Sequence, residues 1–268
     1  MEESNYSVMS LNLLTSGARL PGNPAFTKRV HAIQKMIQQY QPDIIGVQEL
    51  TKFMFPYLSE IQNTYTIFGD SRHAFLSDEY SSILFNKNRF TFLEGKTFWL
   101  SPTINKPGSK FLFSQFPRIV TYIYLKDKQT QQTFSVFNTH LDANFDFVRA
   151  KQILVLTKII RKSQKGDFTI VTGDFNCTCD SRALLCMQKT KLSDLIERKF
   201  GTTLRGSIGS YRFHHLPIDH IFVSQSIKPI TVTKITDSYN NIFPTDHYPV
   251  YVEFSILQNN GTENMTIL

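Results

Sequence analysis

Residues 29–49 read RVHAIQKMIQQYQPDIIGVQE, and the period of the pattern changes in the middle. Val30, Ile33, Ile37 and Tyr40 recur at three- and four-residue spacing, which is one apolar face of a helix. Gln41-Pro42-Asp43 breaks it, because proline has no N–H to continue the helical ladder. Ile44-Ile45-Gly46-Val47 follows as an unbroken apolar run, the pattern of a strand covered on both faces, and Glu49 stands just past its end. Working upstream, residues 7–13 (SVMSLNL) alternate. Met9, Leu11 and Leu13 take one face and Val8, Ser10 and Asn12 the other, which is strand period.

Downstream, apolar runs predict strands at 81–85, 118–125, 133–138, 168–171, 218–224 and 249–256, with a helix near 146–162. Strand–helix–strand order therefore recurs. Asn86-Lys87-Asn88 and Asp127-Lys128-Gln129 are turn-like and predict hairpin-like strand pairs as well. The mixture points to an α/β protein with mixed sheets. No fixed-period repeat or linker interrupts it, so one domain is expected, with a core over about 5–257 and a flexible tail at 258–268.

Composition excludes several classes. The 268 residues are 41% hydrophobic, too rich for a disordered chain and long enough to build a core without disulfide staples. No apolar run approaches the ~20 residues that span a bilayer. The polar, acidic start MEESNYSVMS lacks the pattern of a signal peptide, and three Cys make a secreted disulfide framework a poor fit, so a soluble cytoplasmic protein without a membrane partner is expected. Cys177, Cys179 and Cys186 lack a fourth ligand for zinc and read as idle thiols. A net charge of +7 permits an anionic partner, although solubility alone accounts for it.

Acidic, amide and imidazole residues gather at strand ends: Asn12, Glu49, Asn138-Thr139-His140-Leu141-Asp142, Gly173-Asp174-Phe175-Asn176, Asp219 with His220, and Thr245-Asp246-His247. Each alone reads as a cap or turn residue, but together they mark the loops where sheet proteins place their sites. The segments SLNL, QPDIIGVQEL, NTHLD, TGDFN, PIDHIF and PTDHYPV, which span residues 10 to 250, resemble the endonuclease/exonuclease/phosphatase superfamily in both content and order. That superfamily includes DNase I, exonuclease III, deadenylases and inositol polyphosphate 5-phosphatases. Phe26-x-x-Arg29, DEYSSILFNKNRF at 78–90, KTFWLSPTINKPGSK at 96–110 and PRIVTY at 117–122 are similar to bacterial members that share segments with the deadenylase type.

The resemblance implies a four-layer α/β sandwich, two mixed sheets face to face with helices outside, and metal-assisted hydrolysis of a phosphate ester. It implies Mg²⁺, or Mn²⁺, held by the hard oxygens of Glu49 and Asp246 with the Asn12 amide nearby. Asp174 would orient or deprotonate the attacking water, with Asn176 holding that water or a phosphate oxygen. His247, oriented by Asp219, would stabilise the reacting phosphate, and His140 would contact it a second time. Arg29, Arg118 and Arg149 are candidates for binding substrate phosphate, each also readable as a structural ion pair. Phe26 stands where relatives often carry Trp. His220 is assigned to sheet packing, and His214 and His215 to a loop. Two substrates compete: a small or exposed phosphoester, favoured because no clear basic cluster tracks a duplex, and DNA or RNA, for which loop 101–116 with Lys106, Lys110 and three Phe could serve. A non-catalytic interaction protein on the same fold is the rival from another class. Oligomeric state stays open.

Overall fold

The computed structural model describes residues 5–17, 24–73, 78–206, 213 and 215–256; the expected tail, Gly22 and His214 lie outside them. Two six-stranded sheets carry the chain. The first contains β1 (Asn5–Asn12), β2 (Ile44–Gln48), β3 (Tyr65–Phe68), β4 (Ile83–Asn86), β11 (Ile227–Lys234) and β12 (Val250–Ile256), in the order β11-β12-β1-β2-β4-β3. The second contains β5 (Phe90–Trp99), β6 (Ile119–Asp127), β7 (Thr133–His140), β8 (Phe168–Asp174), β9 (Ser193–Asp194) and β10 (Asp219–Val223), in the order β5-β6-β7-β8-β10-β9.

Each sheet holds one parallel pair, and each pair is bridged by a long helix. Helix α1 (Phe26–Tyr40) connects β1 to β2, and α3 (Asp146–Ser163) connects β7 to β8; the short α2 (Ser59–Gln62) lies between them in the chain. Parallel neighbours need such a crossover, and a helix buries the outer face of the sheet as it returns. Three apolar clusters match the layers. Val8, Ile44, Phe85, Ile123, Phe134 and Ile170 fill the space between the sheets. Met9, Leu11 and Leu13 pack with Ile33, Met36 and Ile37 of α1, as the alternation in β1 predicts. Val120, Phe137 and Val171 pack with Ile153, Leu156 and Ile160 of α3. The result is the four-layer sandwich.

A buried polar stitch joins the sheets beneath one end. Asn138 Nδ2 donates to the carbonyls of Val47 (2.8 Å) and Ser82 (2.9 Å), and its Oδ1 accepts from Gln48 Nε2 (2.7 Å) and Thr172 Oγ1 (3.0 Å). A Cβ on Gly46 would lie 1.9 Å from Thr172 Oγ1, so the stitch requires glycine there.

The topology brings the chemistry-bearing residues to that end. β1 and β2 run parallel, so Asn12 and Glu49 emerge together. Antiparallel β12 starts opposite Ser10, so the loop carrying Asp246 and His247 enters there too. In the second sheet His140 and Asp219 both stand in register with Asp174. Two expectations are corrected. The turn at 86–88 is not a hairpin: β4 and β5 lie in different sheets, and the turn carries the chain across the sandwich. β3, β5, β9 and β11 add strands that the apolar pattern did not announce.

Candidate active site

The end of the sandwich opens into a cleft of about 270 Å³, lined among others by Glu49, Arg72, Glu79, Phe116, Arg118, His140, Asp174, Asn176 and His247. One oxygen, Asp174 Oδ2, is its focus. Asn12 Nδ2 donates to it at 3.1 Å, His140 Nε2 lies at 3.6 Å and His247 Nε2 at 3.7 Å. Asp174 Oδ1 accepts the backbone N–H of Asn176 (2.9 Å), and the Asn176 amide in turn donates to Leu141 O (3.2 Å). Both Asn176 and Glu49 hold positive φ, 50° and 60°. Asn tolerates this conformation readily, but Glu does not, and strain of that kind needs surrounding support. Glu49 has it: Oε2 accepts the Thr15 N–H at 2.7 Å and Oε1 accepts from Asn12 Nδ2 at 3.1 Å.

Behind His247, Nδ1 meets Asp219 Oδ2 at 2.8 Å, both groups being buried. Burial alone would discharge this imidazole. The charge and hydrogen bond of Asp219, with the charges of Asp174 and Asp246, outweigh burial and hold it well above the ordinary histidine value. Burial and the Asp219 charge push Asp174 up to about 7 against the pull of His247. His140 goes the other way: burial and the charges of Arg118, Arg72 and His247 keep it well below its usual value and therefore neutral. One protonated imidazole, one neutral imidazole and a carboxylate of raised basicity thus share a small volume.

Three further residues shape the cleft. Arg72 is clamped by Asp78 (2.8 Å) and Glu79 (2.6 Å) and lies 4.3 Å over the Phe116 ring. Burial and the neighbouring Glu49 charge push Glu79 up to about 7, opposed by Arg72 and Arg118. Sequence reasoning missed Arg72, Glu79 and Phe116. The usable signal was the acidic pair Asp78-Glu79 opening the segment 78–90.

The three candidate arginines separate. Arg118 is buried in the cleft wall; its guanidinium forms no hydrogen bond or ion pair among the described residues and leaves Nε without a partner. Arg29 is corrected to a brace. It is fully buried and donates to four carbonyls, those of Leu13, Leu14, Pro24 and Pro244, tying the loop after β1 to the loop before β12. Arg149 is read likewise: it donates to Asp142 O (3.0 Å) and Asp146 Oδ1 (3.4 Å), its Nε has no partner, and it is not among the residues that line the cleft. Asp246 lies beside His247, with Oδ1 accepting from Thr245 Oγ1 at 3.2 Å. His220 is buried between Asp194 Oδ2 (2.7 Å) and Cys177 O (3.0 Å), and the three cysteines are free. A larger cavity of about 580 Å³ opens between β5, β6 and α3, and it contains none of these residues.

Similarity searches bear on this constellation. The family described as "Endonuclease/Exonuclease/phosphatase family" matches residues 9–247. The chain belongs to this family. Its members are hydrolases that act on phosphoester bonds. A family protein from Bacteroides thetaiotaomicron superimposes with a TM-score of 0.85 at 26% identity, covering 96% of this chain and 100% of that one. A mannosyl-6-phosphatase of the same organism superimposes at 0.78 with 26% identity, covering 93% and 99%. An uncharacterized protein of Acanthamoeba polyphaga mimivirus is 26% identical over 246 residues, 83% of this chain and 89% of its own. Among the described residues no helix is long and apolar enough to cross a membrane.

Proposed function

We propose that this family member is a divalent-metal-dependent phosphoesterase acting on a small or exposed phosphoester. The observation that carries the reading is the cleft's pairing of opposite needs. Arg118 is a buried cation whose guanidinium makes no direct ion pair among the described residues, only the longer-range pull of Glu79, Asp142 and Asp174, and a buried charge without a direct partner is costly. Glu49, Glu79 and Asp174 are carboxylates facing the same space, two of them with raised proton affinity because burial and a neighbouring carboxylate repel charge. A phosphate beside Arg118 and a hard cation beside the carboxylates would resolve both.

The donor set fits Mg²⁺ or Mn²⁺. Glu49 would hold the ion, with Asp246 as a further carboxylate donor; the Asn12 oxygen accepts the Leu14 N–H (2.9 Å) and its Nδ2 faces Glu49, so Asn12 would orient Glu49. Asp174, Asp219 and His247 also bring ligand atoms within 4.8 Å of one another. In that trio, however, Asp219 and Nδ1 of His247 are already engaged with each other, which suits a proton-holding unit better than coordination. When bound, the ion supplies charge neutralisation at the phosphoryl oxygens.

The chain's own groups then divide the work. Asp174 Oδ2 accepts a proton from the attacking water, its raised basicity favouring the transfer. The oxygen left behind forms the new P–O bond as the ester P–O bond opposite it breaks; the departing oxygen leaves with that bonding pair and takes a proton from solvent. His247, held charged by Asp219, faces the developing negative charge, and neutral His140 offers Nε2 as a further hydrogen-bonding group. Arg118 anchors a nonbridging oxygen. The test is phosphate release from a panel of sugar phosphates, nucleotides, inositol phosphates and single- and double-stranded DNA and RNA, with Mg²⁺, Mn²⁺ or chelator. Metal-dependent release that Asp174→Asn abolishes supports the reading, and metal-independent release contradicts it.

A further inference from the structure

The cavity of about 580 Å³ beside β5 shares no lining residue with the cleft. It comes from a gap in the outer layer of the sandwich. The apolar face of α3 packs on Val120, Phe137 and Val171 of β6, β7 and β8, and the cavity opens where the helix gives way to the edge strand β5. Its volume falls within the ~300–1,000 Å³ of pockets that take small organic ligands. Its floor is apolar: Tyr122 and Ile159 are buried, and Phe98, Ile104 and Val155 are half-buried against the outer core.

The cavity has two unlike ends. β5 and β7 both pair antiparallel with β6, so they point the same way, and α3 returns from the end of β7 to the start of β8. Helix and edge strand therefore run in opposite directions. Val155 lies towards Phe98 and Ile104 at the end of β5, whereas Lys158, Lys162 and Lys165 lie towards its start, where Lys165 pairs with Glu94 at 2.8 Å. Residues 155–163 of the helical wall span ~12 Å and residues 94–98 of the strand wall ~13 Å, which makes the cavity a trough. Ammonium groups gather at one end of it. Glu94, the one acid in the described lining, is engaged by Lys165 and by the Tyr122 hydroxyl (3.0 Å). Lys158 and Lys162 form no ion pair or hydrogen bond among the described residues, and the Lys96 ammonium meets the Phe98 ring, 5.0 Å from its centre. The helix macrodipole accounts for basic residues in the last turn of α3, Arg161 and Lys162, but not for Lys158 a turn earlier or for Lys96 on the facing strand.

We propose that this trough binds a free single-chain amphipathic anion, of which a fatty carboxylate is the simplest. The chain lies along Tyr122, Ile159, Val155 and Phe98, and the head group meets Lys158, Lys162 and Lys96. The proposal is independent of the phosphoesterase reading. Charge complementarity carries it: three ammonium groups without an acidic partner stand at one end of an elongated apolar floor, and a ligand with the opposite charge at one end of an apolar body satisfies both. A bilayer is disfavoured because the apolar side chains are recessed in a concavity instead of projecting into an acyl layer.

The experiment is calorimetric titration of the full chain with hexanoate, octanoate and decanoate, and with octanol as the uncharged match to octanoate. One molecule should bind per chain, with affinity rising ~4-fold for each methylene buried. Octanol should bind ~10-fold or more weakly than octanoate, because it lacks the charge-assisted contacts. Lys158→Gln combined with Lys162→Gln, both at exposed positions, should bring octanoate down to the octanol level, leave octanol affinity as it was and not lower Tm. Val155→Gln should weaken octanoate and octanol alike. Affinity that does not grow with chain length, or acetate competing as well as octanoate, would reduce the trough to a basic surface and overturn the proposal. Octanoate binding that the lysine variant leaves intact overturns it too. So does binding to phosphatidylcholine–phosphatidylserine vesicles, lost in the lysine variant, by a protein that shows no saturable uptake of octanoate.

Discussion

Replacing Arg118 with Met separates a functional cation from a structural one. The guanidinium is buried at 7% exposure and gains no hydrogen bond or ion pair among the described residues in return. Burial, reinforced by the Arg72 charge, lowers its proton affinity despite the pull of Glu79, Asp142 and Asp174. Methionine fills a similar volume without a charge to desolvate, and exchanges of buried ions for packed apolar groups are commonly neutral or stabilising by ~1–4 kcal/mol. A gain of ~1–2 kcal/mol corresponds to roughly 2–8 °C in Tm for a chain of this size. Activity should move the opposite way. Two charge-assisted hydrogen bonds to phosphate at ~1.5–3 kcal/mol each are lost, which is at least ~150-fold in kcat/KM. Arg29→Met is the control: it leaves four carbonyls unpaired and should lower Tm by several degrees. The assays are thermal melting and steady-state kinetics on the same samples. An Arg118→Met protein that melts lower with kinetics unchanged would falsify the assignment.

Three other outcomes follow from the geometry. Asp219→Asn and His247→Ala should each lower kcat/KM by ~10²-fold or more; because the two act as one unit, the double variant should be little worse than His247→Ala, and fully multiplicative losses in the cycle would show independent roles. Asp127 is held below the ordinary carboxylate range. Burial would raise it, but the Arg89 hydrogen bond (2.8 Å) and the N–H groups of Thr130 and Gln129 prevail. Its contribution is therefore complete above the unfolded value and is lost as pH falls from roughly 5 through the depressed folded value. Asp127→Asn should cost ~1–2 kcal/mol at pH 7, because the partly exposed Arg89 keeps its ion pair with Asp43 (2.7 Å), and should flatten the acid side of a Tm–pH profile; an unchanged profile would remove the ion pair from the stability account. Gly46→Ala, pressed against Thr172 and Asn138, should destabilise by ~1–3 kcal/mol in chemical denaturation. A neutral result there would mean that the two sheets can separate beneath the cleft without penalty.

The layers were legible where burial writes a clean pattern. β2 is apolar over its first four residues because both faces are covered, and β1 alternates because its two faces meet different neighbours, the second sheet and α1. β5 escaped because most of it is half-exposed, it shifts register between Phe92 and Glu94 and it carries Gly95 inside. β11 escaped because it is an edge strand containing Pro229, with a bulge before Thr231. At the site, residues at the ends of recognisable strands were found from sequence, whereas Arg72 and Glu79 lie on an irregular segment whose position depends on packing. The arginines were inseparable in sequence: only geometry shows that the partners of Arg29 are carbonyls and that the Arg118 guanidinium has no hydrogen bond or ion pair among the described residues.

Phosphate release from the substrate panel, measured side by side for the wild type and Asp174→Asn, is the most direct test of the central claim. The expected result is release that requires Mg²⁺ or Mn²⁺, stops on chelation, returns when the ion is restored, and falls by ~10²-fold or more in the variant. Release that survives chelation, or that Asp174→Asn leaves intact, would contradict it.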